Sequence, residues 1–157
     1  RSTPLYSSAA SDVYKRQGLY GSITIVPVQS QYYGKCDNAM KVGGVRTASG
    51  WGPLLYDVAI ELATIHANGL IPDRYSVSRE ANNVWDYYMN QRSDVIKVQL
   101  DNLEDSFKDG PDNDCDHNIG DIANGGVAWL DSSMSKKYSK EPTTINMLKK
   151  LGKWKES

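Results

Sequence analysis

Two rhythms of apolar residues alternate along the chain. Ser22 to Val28 (SITIVPV) and Ala39 to Val45 (AMKVGGV) are short β-branched segments that read as strands, with Pro27 marking the first as an edge strand or a strand end. Gly50-Trp51-Gly52-Pro53 then breaks the pattern, and Pro53 suits the first turn of a helix, where its missing N–H has no partner to lose. Leu55, Val58, Ala59, Leu62 and His66 follow at helical spacing, with Asp57 and Glu61 on the opposite side and Gly69 near the stop. Leu70 and Ile71 predict a brief strand closed by Pro72-Asp73-Arg74. Ser78 is placed to cap a second helix, Glu80 sits in its first turn, and Ala81, Val84, Trp85 and Tyr88 form its buried stripe. Val95 to Leu100 (VIKVQL) alternates as a half-buried strand does. Pro142 to Leu151 predicts a closing helix. This order gives an α/β or α+β class, a mixed sheet flanked by helices.

Composition narrows the class without naming a partner. With 157 residues, 39% hydrophobic and 24% charged, the chain is expected to be one soluble globular domain rather than a membrane span or a disordered tail. A net charge of −1 gives no general attraction to nucleic acid or to a membrane. Charge is instead local. Residues 101–121 hold eight acidic side chains against Lys108, and residues 132–157 hold seven lysines against Glu141 and Glu156. The first reads as a solvated acidic loop and the second as a basic C-terminal helix, whose lysines with Tyr138 and Trp154 offer nucleic acid only a weak surface. Cys36 and Cys115 stand far apart with no CxxC, so reduced thiols and a cytoplasmic address are the expectation.

Residues 1–17 are rich in Ser and Ala and lack the apolar core of a signal peptide. Asp12 to Gln17 (DVYKRQ) resembles the in-frame translation of a transposase mosaic end used in sequencing libraries. On that reading the segment is an adapter-derived or disordered tail. The domain then spans residues 18–157, and the natural chain continues upstream of Gly18.

Candidate chemistry centres on the glycine turn. Gly50 and Gly52 ahead of a helix allow a bend without Cβ obstruction that opens onto unpaired amides at the positive end of a dipole, an arrangement that binds phosphate. No GK[ST] follows, and Leu55 stands where a dinucleotide fingerprint has its third glycine. Asp112 to Asp116 begins like a calcium loop, but His117 and Ala123 replace its glycine and its bidentate glutamate. A zinc site would draw Cys36, His66, Cys115 and His117 from distant segments, so no metal is expected.

The stretch Ala39 to Met89 resembles the acyl-CoA-binding half of the GNAT acyltransferase superfamily: strand, glycine loop, helix, strand, helix. Thr47-Ala48-Ser49-Gly50-Trp51-Gly52 keeps both glycines of that family's [QR]xxGx[GA] loop, with Thr47 at the basic or amide position and Arg46 one residue away. PLLYDVAIELA and SREANNVWDYY are similar to the two helices that follow, and the wording from GWGPLL to VWDYY resembles phage-encoded proteins of the same appearance. The resemblance implies acetyl-CoA or another acyl-CoA as co-substrate, an amine as acceptor, and a pyrophosphate cradle of Gly50, Trp51, Gly52 and Leu54. It also implies a tyrosine acid at the position held here by Trp85, whose indole is no acid near neutral pH. Tyr88 stands in as the candidate acid if the helix is rotated or shifted, against its place on the buried stripe, and Asp73 as the candidate base, although it also fits a turn or an ion pair with Arg74. The alternative reading is a GNAT-fold module that binds or regulates without chemistry.

Overall fold

The computed structural model describes residues 21–28, 38–73, 77–100 and 130–156. The acidic segment, both cysteines, His117, Arg74 and residues 1–17 lie outside them. The described chain forms a five-stranded mixed sheet: β1 (Gly21–Pro27), β2 (Met40–Thr47), β3 (Leu70–Ile71), β4 (Val95–Gln99) and β5 (Lys136–Lys140), in the spatial order β1-β2-β3-β5-β4. Its helices are α1 (Gly52–His66), α2 (Arg79–Gln91) and α3 (Thr143–Lys150), with a 3-10 turn at Ser133–Ser135. The α+β class expected from the residue pattern is the class observed.

β1 runs antiparallel to β2 from Gly21↔Thr47 to Pro27↔Met40, with a register shift between Thr24 and Ile25. β2 and β3 are parallel, as the α1 crossover between them requires. β5 lies antiparallel to both β3 and β4. Successive residues of a strand face opposite ways. Met40, Val42, Leu70 and Tyr138 thus join Ile23 and Ile25 in one cluster with α1, α2 and Ile145 of α3, while Ala39, Ile71 and Leu100 form a smaller cluster on the other side.

α1 begins after Trp51 with a proline in its first turn and ends where Gly69 turns back, its amide 3.2 Å from the Ala63 carbonyl. Gly69 takes φ +119, and a Cβ there would stand 2.7 Å from the Tyr138 carbonyl, so only glycine lets β3 start against β5. Two expectations for α1 need correction. His66 is exposed, although Ala67 after it packs against the core, and Glu61 is fully buried. Glu61 accepts from the Lys140 ammonium at 2.6 Å and from the backbone amides of Thr144 at 3.0 Å and Ile145 at 2.8 Å, so it caps α3 from the middle of α1. A carboxylate on an apolar face is tolerated only when it is satisfied in this way.

α2 opens as the sequence indicates. The Ser78 side chain accepts from the Ala81 amide at 3.1 Å, and Trp85 and Tyr88 are buried. β4 does alternate, but Val95, Lys97 and Gln99 share the face toward the helices, whereas Ile96 and Val98 are exposed on the other.

Candidate functional site

β2 and β3 stay together for only two rungs, Met40↔Leu70 and Lys41↔Ile71. Pro72 follows Ile71 and has no N–H to extend a ladder, so the strands part there. A cleft of about 240 Å³ opens where they separate. Val42, Gly43, Gly44 and Val45 line it from the β2 edge, Asp73, Val77, Ser78 and Ala81 from the loop and first turn of α2, and Tyr56 and Trp85 from the helices. Gly44 contributes to the opening because it carries no side chain, and a Cβ added there would meet nothing within 4 Å.

Aromatic packing forms one wall. Trp85 is 1% exposed, stands edge-on to Tyr56 with centroids 5.3 Å apart, and tilts over Tyr138 at 4.8 Å. Such pairs add about 0.5–1.5 kcal/mol each beyond area burial, so Trp85 is part of the framework of the cleft.

The C-terminal end of β2 leads into the glycine turn. Gly50 is exposed with φ +85, a conformation that favours glycine, and a Cβ there would meet nothing within 4 Å. The Trp51 amide donates to the Ala48 carbonyl at 3.2 Å and so stays within the turn. Of the expected cradle, Gly52 and Leu54 occupy the first turn of α1, where amides have no intrahelical acceptor. No acidic residue stands in that turn and no side chain caps it. Thr47 directs its hydroxyl to the Ala48 carbonyl at 2.9 Å.

The two expected catalytic side chains are not brought together at the cleft. Asp73 lines it, half-buried. Tyr88 is fully buried away from its lining, with its hydroxyl placed to donate to Asp57 Oδ1 at 2.6 Å and to the Pro53 carbonyl at 2.9 Å. Burial, with the Asp57 carboxylate beside it, drives the Tyr88 phenol far above the ordinary range. Arg92 completes this cluster, holding Asp57 at 2.8 Å and Asp94 at 2.8 Å beneath the Tyr88 ring. In this geometry Tyr88 ties α2 to α1. Its place on the buried stripe was readable, but Asp57, assigned to the polar side of α1, is its partner.

Tyr56 was not among the expected site residues. It is 2% exposed and lines the cleft, and burial pushes its phenol up to about 12. Its position beside Leu55 gave no signal, because α1 is buried on most of its circumference between the sheet and α3.

Among the described residues no helix is long and apolar enough to cross a membrane, and no group of three metal-ligating side chains stands together. Comparisons with protein-family models, curated proteins and solved structures find no match to this chain.

Proposed function

We propose that the protein binds an acyl-CoA and transfers its acyl group to an amine, in the manner of the GNAT superfamily. The observation that carries this reading is the separation of two parallel strands after two rungs, with a cleft where they part; the glycine turn is not in its lining and follows the end of β2 at Thr47, two residues beyond Val45, the last β2 residue that is. Beyond Lys41 the β3 side of β2 has no strand partner among the described residues. An extended arm bearing amides, such as pantetheine, pairs with a strand edge of this kind as another strand would. A pyrophosphate beyond it would meet the Gly50, Gly52 and Leu54 amides at the positive end of α1, whose first turn holds no acidic residue.

The reaction needs few groups. The amine nitrogen bonds to the thioester carbonyl carbon, the C–S bond breaks, and the sulfur leaves with the electron pair. Asp73, in the cleft wall, accepts the proton that the amine loses, and the thiolate regains one from solvent. Holding both reactants in the cleft supplies much of the rate. Tyr88 has no part in this scheme.

The second reading, a binding module without chemistry, draws on Trp85, which is built into the core where the family implies an acid. Release of free thiol from bound acetyl-CoA in the presence of amines separates the two readings.

Calorimetric titration with acetyl-CoA tests the site, alongside Gly52→Asp. A Cβ at Gly52 meets only the Thr47 methyl at 4.0 Å, and an aspartate in a first helical turn favours the helix dipole. The variant should therefore fold, and its carboxylate should weaken acetyl-CoA binding by about tenfold or more, a loss of about 1.4 kcal/mol. Equal affinity of the two proteins, or no heat from the folded wild type, rejects the acyl-CoA site.

A further inference from the structure

Tyr56, Tyr88 and Tyr138 are all essentially buried, and two of them satisfy their hydroxyls within the protein. Tyr88 bonds to Asp57 and the Pro53 carbonyl, and Tyr138 donates to the Ser133 carbonyl at 2.8 Å. The Tyr56 hydroxyl makes no hydrogen bond to any described residue, yet Tyr56 is the one of the three that lines the cleft. Its ring is held from two sides, edge-on by Trp85 at 5.3 Å and by Tyr88 at 6.3 Å, so the phenol has little freedom to turn elsewhere. A buried hydroxyl without a partner is a cost that phenylalanine in the same space would avoid. A site accounts for such a group when the ligand completes its hydrogen bond.

We infer that the Tyr56 hydroxyl is a catalytic donor in the cleft, bonding to the carbonyl oxygen of the bound thioester, in place of the α2 position that the family resemblance indicates. The inference rests on the acyl-CoA reading above. As the amine nitrogen bonds to the carbonyl carbon, the carbonyl π pair moves onto oxygen, where the Tyr56 O–H stabilises it. The pair returns as the C–S bond breaks, and the sulfur departs as thiolate. Tyr56 keeps its proton throughout. With its phenol pushed up to about 12 it stays protonated near neutral pH, and a thiolate with a conjugate acid near about 8.5 is too weak a base to take that proton. Its role is polarisation of the carbonyl rather than protonation of the leaving group.

Tyr56→Phe tests the assignment with the same fold in hand, since it removes only an oxygen that has no partner among the described residues. Acetyl-CoA labelled with carbon-13 at the thioester carbonyl, bound to each protein, reports the contact directly through its infrared C=O band. The wild-type band should lie below that of free acetyl-CoA, and the variant's should return toward the free position, with binding affinity changed less than about threefold and a melting temperature no lower than that of the wild type. Turnover with hydroxylamine as a small acyl acceptor should fall tenfold or more through kcat, with KM little changed. Identical bands and identical kcat in the two proteins overturn the role of Tyr56 while leaving the acyl-CoA site standing. No binding of acetyl-CoA by the wild type overturns both. A variant band that returns without loss of kcat also overturns the catalytic role, leaving Tyr56 a ligand contact only.

Discussion

Replacing Glu61 by alanine should destabilise the protein more than any surface change can, and the structure allows the magnitude to be worked out. Glu61 and Lys140 are 0% and 2% exposed at their side chains, and their charged atoms are 2.6 Å apart. Glu61→Ala removes the countercharge of an ammonium that is left with the Thr143 and Thr144 hydroxyls and the Glu141 carbonyl, and with Asp94 no nearer than 4.0 Å. It also strips the Thr144 and Ile145 amides of their common acceptor. Breaking one side of a buried pair costs about 3–5 kcal/mol, against a total stability of about 5–15 kcal/mol for a typical domain. Urea unfolding followed by tryptophan fluorescence measures this, since Trp85 lies in the core. At a slope of about 1–3 kcal/mol per molar the midpoint should fall by about 2 M, or the variant should be unfolded in buffer. The double variant Glu61→Leu with Lys140→Met should recover most of the loss, because two buried charges are then exchanged for apolar packing, and the residual deficit belongs to the two α3 amides. A Glu61→Ala cost below about 1 kcal/mol would refute the view that this pair joins α1, β5 and α3.

Tyr88→Phe should cost about 1–3 kcal/mol in the same unfolding assay, since it removes a buried hydrogen bond to a carboxylate and leaves Arg92 to hold Asp57, whereas Tyr56→Phe should cost nothing measurable; equal losses would contradict the bonding described for the two phenols. The Arg92 guanidinium, by its hydrogen bonds, holds the Asp94 carboxyl down to about 2. Because this folded value lies below the ordinary one, the stability it contributes is present above about pH 4 and is lost as pH falls toward 2. Asp94 is half exposed, so the effect is a few tenths of a kcal/mol after screening, and thermal unfolding of wild type and Asp94→Asn across this range should converge at the acid end. Tyr56 behaves in the opposite sense: its raised folded value makes its contribution complete below about pH 10 and lost as pH climbs through about 12, so alkaline spectrophotometric titration should show it ionising only late or on unfolding.

What was legible in the sequence follows from local causes. Proline and β-branched residues identified β1, which ends at Pro27 and lies at the edge of the sheet among the described residues. Pro53 and Gly69 bracketed α1, and Ser78 with Glu80 located the start of α2, because capping and backbone conformation are decided within a few residues. The glycine turn was also readable as a helix head without a side-chain cap. Asp73 lines the cleft, since a strand end followed by proline has to leave the sheet.

The errors share one physical origin. Helical periodicity ranks faces by polarity and takes no account of what packs on them, so Glu61 was assigned to solvent although a lysine on β5 and the head of α3 converge on it from the far end of the chain. The same reasoning gave His66 to the core, although it is exposed in the last turn of α1. Tyr88 and Tyr56 were distinguished only by tertiary contacts: Asp57 and the Pro53 carbonyl lie within reach of one hydroxyl, while the other lines a cleft that exists because β2 and β3 part after Lys41 and Ile71. Local sequence determined where strands and helices begin and end. Which side chains share a cleft was decided only when β2 and β3 parted beside the start of α2, and which buried polar groups find partners only when α2, β5 and α3 packed against α1.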